Sequence, residues 1–233
     1  MGERAEPSGN PINEYFREAL LVGGEATRMY IVRHAQSHEN TGEDLQTGDA
    51  DLTDVGREQA RRIGERLAEQ DIDAVYASPL RRTQQTAAAI AERRGLPVVT
   101  EEDLREISLG AADHDVRRLS DEVRNGIREH IRNEGTWDAF PGSEGSGPAR
   151  QRVRQVMTKI ARENEGKRVV VVTHSAFMMT FFSVILGLQR DCMFYPFNAS
   201  ITSVRASDGR FVIWRLNDVA HLEGMPAGLG GIS

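Results

Sequence analysis

Cysteine is nearly missing from this chain. Cys192 is the only one in 233 residues, so no internal disulfide can form, and the usage fits a reducing compartment. A surplus of positive charge is missing as well. The 29 lysines and arginines are outnumbered by 35 aspartates and glutamates, and the net charge of -6 argues against general nucleic-acid binding. An anionic substrate would then have to be drawn in by a local cationic pocket. No apolar run reaches the ~20 residues that a membrane helix needs; Phe177 to Leu188 has the length of a buried core helix. The segment Met1 to Asn10 is polar and holds no apolar signal core. The expectation is a soluble, cytoplasmic protein with neither membrane nor nucleic acid among its partners.

What is present is an ordinary globular composition, 39% hydrophobic and 27% charged, in a chain long enough for one sizeable domain whose core needs no disulfide or metal. The pattern divides into an extension over residues 1–27, a body over 28–217 and a tail over 218–233. Within the extension, Ile12, Phe16, Ala19 and Leu20 fall near helical spacing. They predict a short helix over 12–21, ended by Gly23-Gly24, whose apolar face would rest on the body or on a second subunit, so a homo-oligomer stays open.

The body is organised around Met29-Tyr30-Ile31-Val32-Arg33-His34-Ala35-Gln36-Ser37-His38-Glu39-Asn40. Strand-forming residues run straight into Arg33 and His34, which places a fixed cation beside an imidazole at the carboxyl end of a strand, where open α/β sheets bind ligands. His34 has three readings. As a nucleophile it attacks phosphorus through a neutral ring nitrogen, while Arg33 clamps the transferred group with its donor fork. As a metal ligand it pairs with His38 at i, i+4, which requires a helix and a third ligand. The third reading is a surface loop that happens to contain histidines.

A second strand-to-loop histidine lies far along the chain. Val169 to Val172 reads as a strand buried on both faces, and it ends in Thr173-His174-Ser175 at the opening of an apolar helix over 176–187. The free N–H groups of that helix could face an anion. Between the two histidines, Thr53 caps a predicted helix over 54–69 and Asp73 to Ala77 forms a strand. Ser78 and Pro79 open another helix, which places Arg81 and Arg82 at an amino end. Cations there oppose the helix dipole unless an anion sits nearby; Arg81 is read as solvated. Gly95 closes the helix, and Val98 to Thr100 is a strand. Gly142 to Gly147 is glycine-rich, but it lacks the Lys-Ser/Thr ending of a P-loop and follows no strand. Trp137 and Phe140 read as packing or as the pocket mouth. A helix follows over 148–163, and Ala206 to Arg210 turns a terminal hairpin before Phe211 to Leu216.

Arg33, His34, Gln36, Ser37 and Asn40 fall on the Arg-His-Gly signature of the histidine phosphatase superfamily, phosphoglycerate mutase-like branch, with Ala35 in place of glycine. The helix from Leu52 to Ala60, the run Ser78 to Ala87, the run Leu104 to Gly110, the Gly142–Gly147 turn and His174 resemble the family in the same order. Ala111-Ala112-Asp113-His114 departs from it. The resemblance implies a three-layer αβα sandwich with a mostly parallel central sheet and helices on both faces. It also implies a metal-independent phosphomonoester hydrolase that takes a small phosphorylated substrate and no cofactor. His34 would be the nucleophile, and Arg33, Arg82 and His174 would hold the phosphoryl oxygens. Glu106 would be the proton donor, and Ser37, Asn40 and Ser175 would border the substrate. The alternatives are a phosphoglycerate mutase with the same residues, a non-catalytic binder of phosphorylated ligands, and a metallohydrolase built on His34 and His38.

Overall fold

The computed structural model describes residues 11–21, 25–44, 48–113 and 116–225. Gly23, Gly24 and His114 therefore lie outside the described residues. Six strands form one sheet: β1 (Thr27–Arg33), β2 (Ala74–Ala77), β3 (Val98–Thr100), β4 (Arg168–Thr173), β5 (Ile201–Ser207) and β6 (Arg210–Asp218). Their order is β3-β2-β4-β1-β5-β6; the first four run parallel, and β5 runs antiparallel to both of its neighbours, β1 and β6. The uninterrupted valines of β4 follow from this order, because a central strand between β2 and β1 is covered on both faces and Val169 to Val172 are all fully buried.

Seven α-helices accompany the sheet among the described residues: α1 (Pro11–Ala19), α2 (His38–Thr41), α3 (Asp54–Ala68), α4 (Arg81–Ala91), α5 (Asp121–Asn133), α6 (Ser146–Glu163) and α7 (Ser175–Leu186). Alternate strand residues choose alternate layers. Met29, Ile31, Val169 and Val171 pack with Val153, Met157 and Ile160 of α6 and with Phe177 and Phe181 of α7. Val32, Val75, Val170 and Val172 pack with Ile63 and Leu67 of α3 and Ile90 of α4. The result is the expected αβα sandwich. Each fully buried side chain such as Phe177 contributes about 1.5–3 kcal/mol of transfer free energy. Asp208 and Gly209, both left-handed, close the terminal hairpin with Ser207 paired to Arg210.

Three local expectations need correction. Helix α4 starts at Arg81 with Leu80 as its cap, not at Pro79, because the Ser78 hydroxyl is drawn into the interior instead of capping a helix. Helix α6 begins two residues before Pro148. Helix α1 ends at Ala19, and Phe16 is 59% exposed, so that side chain does not rest on the body. What ties the end of α1 down is backbone: Arg210, Trp214 and Arg205 donate to the carbonyls of Ala19, Leu20 and Leu21. No helix among the described residues is long and apolar enough to cross a membrane.

Candidate active site

The pairing of β1 with β4 places Arg33 opposite Thr173. One residue further on, His34 and His174 emerge side by side from the carboxyl ends of two neighbouring central strands. Their ring centroids are 5.2 Å apart at an interplanar angle of 60°, and both residues are buried.

The two imidazoles are fixed in opposite senses. Nδ1 of His34 lies 2.8 Å from the Ala35 carbonyl. A carbonyl only accepts, so Nδ1 carries the proton and Nε2 keeps its lone pair. Nε2 of His174 is 2.9 Å from Ser78 Oγ, which itself accepts from the Leu80 N–H at 3.4 Å. The serine proton is thus available to Nε2, which leaves Nδ1 of His174 as the N–H donor. That Nδ1 is buried and has no partner among the described residues. Burial, and then the charges of Arg82 and Arg33, hold the pKa of His34 well below its ordinary 6.5. Burial, then Arg82, His34 and Arg33, do the same for His174. Both rings are neutral at neutral pH.

The cations around them are themselves nearly buried. Arg33 is 3% exposed; it donates through Nη1 to the Pro196 carbonyl at 2.7 Å and lies 5.0 Å from the Tyr195 ring centroid, while its Nε is buried without a partner. Arg82 donates to the Gly48 carbonyl and stands 2.8 Å from Glu39 Oε2. Its neighbour Arg81 pairs with Asp51 at the surface, as a solvated residue should. Orphaned donors on His174 and Arg33, beside the lone pair of His34, make a cluster suited to an anion.

Glu106 occupies the place expected to be left open for an external anion. Its carboxylate accepts from the N–H groups of Phe177 (2.8 Å), Ala176 (3.2 Å) and Ile107 (3.0 Å), and from Ser175 Oγ at 3.2 Å. The amino end of α7 is therefore capped by the chain's own carboxylate, which the helix dipole favours. Ser175 holds that carboxylate. Ser37 is fully buried with its hydroxyl on Asn40 Oδ1, which also accepts from the Ser37 N–H and from Asn198 Nδ2. In this structure Ser37 and Asn40 hold the loop that presents His34.

Several supporting residues went unnoticed in the sequence. Asn198 reaches the His34 carbonyl. Gln59 and Thr53 of the helix motif after the reactive loop bind Gln36, and Thr86 of α4 accepts from the Ala35 N–H. Arg152 donates to the carbonyls of Asp103 and Arg105 and pairs with Glu144, which accepts from the Ser108 N–H; together they brace the segment that carries Glu106. The position of Ser78 just past β2, the strand beside β4, was a usable signal. For Asn198 and Arg152 none existed locally. Trp137 is core, its Nε1 on Thr180 Oγ1, Phe140 packs against the same core, and Asp113 binds Ser108 and Leu109. His38 pairs with Glu43, and no group of three or more His, Cys, Asp or Glu side chains is placed to hold a metal among the described residues.

Paired strand-end histidines beside two nearly buried arginines mark a phosphoryl-handling α/β enzyme. Residues 29–219 match the model of the histidine phosphatase superfamily (branch 1), and the chain belongs to that family. It is 29% identical over 204 residues to phosphoserine phosphatase 1 of Hydrogenobacter thermophilus, covering 84% of this chain and 94% of that one. It is 32% identical over 211 residues to phosphoglycerate mutase-like protein 4 of Arabidopsis thaliana, covering 87% and 91%. Among solved structures, the mycobacterial glucosyl-3-phosphoglycerate phosphatase in complex with VO3 superposes with a TM-score of 0.72 at 27% identity, over 82% of this chain and 99% of that one.

Proposed function

We propose that this enzyme hydrolyses small phosphomonoesters through a phosphohistidine formed at His34. The observation that carries the reading is the His34 ring: a buried, neutral imidazole whose proton is committed to Ala35, so that the lone pair of Nε2 is free to act as a nucleophile. In the first step Nε2 bonds to phosphorus as the ester P–O bond breaks, and Glu106, a carboxylate in the empty site, gives the departing oxygen a proton that it has taken up from water with the substrate. In the second step water attacks phosphorus and passes a proton back to Glu106, and His34 leaves. Arg33, Arg82 and the Nδ1–H of His174 hold the equatorial oxygens throughout. The arginines supply the charge stabilisation, so no step calls for a metal.

A small substrate is supported by the names of the relatives, a phosphoserine phosphatase and a glucosyl-3-phosphoglycerate phosphatase. Cytoplasmic residence belongs to the same proposal and rests on the single cysteine. The resemblance to a phosphoglycerate mutase-like protein favours a second reading, in which the phosphohistidine waits for a second acceptor oxygen.

The test is turnover of a panel of phosphorylated metabolites with and without a chelator, for wild type and His34→Ala. Chelation is expected to leave the rate unchanged, and the variant to lose kcat by several orders of magnitude, up to the roughly 10⁶-fold seen when a nucleophile is removed. Loss of wild-type activity on chelation would overturn the scheme. Exchange between phosphoglycerate isomers faster than phosphate release would move the assignment to a mutase.

A further inference from the structure

Glu39 stands on α2 between the reactive loop and α4, and nothing in the mechanism above uses it. Its Oε2 is 2.8 Å from Nη1 of Arg82; the arginine side chain is 5% exposed and the glutamate 28%. The same Oε2 is buried yet makes no well-aligned hydrogen bond, so this is a contact of charges rather than a directed bond. Arg82 is also the strongest electrostatic influence on both His34 and His174. Its guanidinium therefore lies close enough to both rings to act on each by charge. A carboxylate and an incoming dianion compete for one nearly buried cation.

After Arg82, the charges that act most strongly on Glu39 are negative: Glu106 from the segment after β3, Asp44 from the segment after α2, and Asp113 from the segment after Gly110. Burial and these three carboxylates push the Glu39 pKa upward against the pull of Arg82. A bound phosphate adds two further negative charges on the same side.

We propose that Glu39 is a proton-linked positioning residue: it holds Arg82 in the empty site and takes up a proton from solvent when phosphate arrives, releasing the guanidinium to the ligand. The proposal rests on Arg82 being the phosphate-binding arginine. No covalent bond changes in this step; one proton moves from water to the carboxylate. Phosphate binding should therefore weaken as pH rises beyond what the ligand's own titration explains, and a neutral side chain at position 39 should remove that excess.

The experiment is calorimetric titration of the full chain with inorganic phosphate at pH 6, 7 and 8, each in two buffers of different ionisation enthalpy. Wild type, Glu39→Gln, Glu39→Asp and Arg82→Gln are compared. Titration of the ligand itself cancels between proteins. Wild type is expected to take up more protons per phosphate than Glu39→Gln, by a difference of up to about half a proton, the most that a shift of one pK unit gives. Glu39→Gln is expected to bind phosphate roughly tenfold tighter at pH 8, one pK unit's worth of linkage. Glu39→Asp keeps a titrating group and should keep part of the uptake. Equal proton uptake by wild type and Glu39→Gln, or weaker binding by Glu39→Gln at every pH, would overturn the proposal and leave Glu39 as a plain anchor. Phosphate affinity unchanged in Arg82→Gln would instead remove the clamp itself, and with it both readings.

Discussion

In the proposed scheme each imidazole has to be neutral and has to present the right nitrogen; burial secures the first condition, and one neighbour secures the second. For His34 the neighbour is its own chain, the Ala35 carbonyl. For His174 it is Ser78, 96 residues away in sequence. Ser78→Ala leaves Nε2 of His174 without its partner and frees the ring to take the other tautomer, so kcat is expected to fall about tenfold, roughly 1.4 kcal/mol. Steady-state kinetics at pH 7 beside a thermal melt check this; a folded variant with unchanged kcat would show that the tautomer does not matter. The residues that act on the substrate in the proposed scheme were legible because each ends a strand or opens a helix in a recognisable run. The residues that orient them were not: Asn198 meets the His34 carbonyl across 164 positions, a distance only the fold closes.

Among the elements, α3 is the clamp on the reactive loop. Its Gly56 passes so close to Gln36 that a Cβ there would sit 1.9 Å from the Gln36 carbonyl oxygen. Gly56→Ala is expected to cost about 1–3 kcal/mol through overpacking and to lower kcat as well, because the atoms that must yield carry His34. Gly126 in exposed α5 is the contrast. A Cβ there meets nothing within 4 Å, so Gly126→Ala should stabilise by about 0.5–1 kcal/mol and leave kcat alone. Urea titrations of both variants, with kcat measured in parallel, separate the two roles. Element types were readable from periodicity and β-branched runs. The displaced start of α4 was not, because Ser78 caps helices by preference and only the tertiary demand of His174 draws it away. The amino end of α7 misled for a similar reason: its free N–H groups invite an anion, and the chain supplies one of its own in Glu106.

For the whole molecule, the contrast is between a net charge of -6 and a site built from nearly buried cations and neutral histidines. Burying His34 and His174 with depressed pKa values means that the unfolded chain binds more protons than the native one below the unfolded value near 6.5. Stability should then fall as pH drops below about 6.5, by up to about 1.4 kcal/mol per pH unit for each histidine. Glu39 works in the opposite sense above its ordinary 4.5, since its native pKa is raised, so it offsets part of the slope. Urea unfolding at pH 5 and 7 is expected to show the acid loss, and His174→Asn to reduce it; a flat profile would contradict neutral burial of these rings.

The central claim is a covalent bond between phosphorus and His34. Rapid alkaline quench of the enzyme during turnover, followed by peptide mass spectrometry, tests it directly. One acid-labile, base-stable phosphate on His34, absent from His34→Ala, is the expected result. A phosphate on any other residue, or turnover at the wild-type rate by His34→Ala, would contradict it.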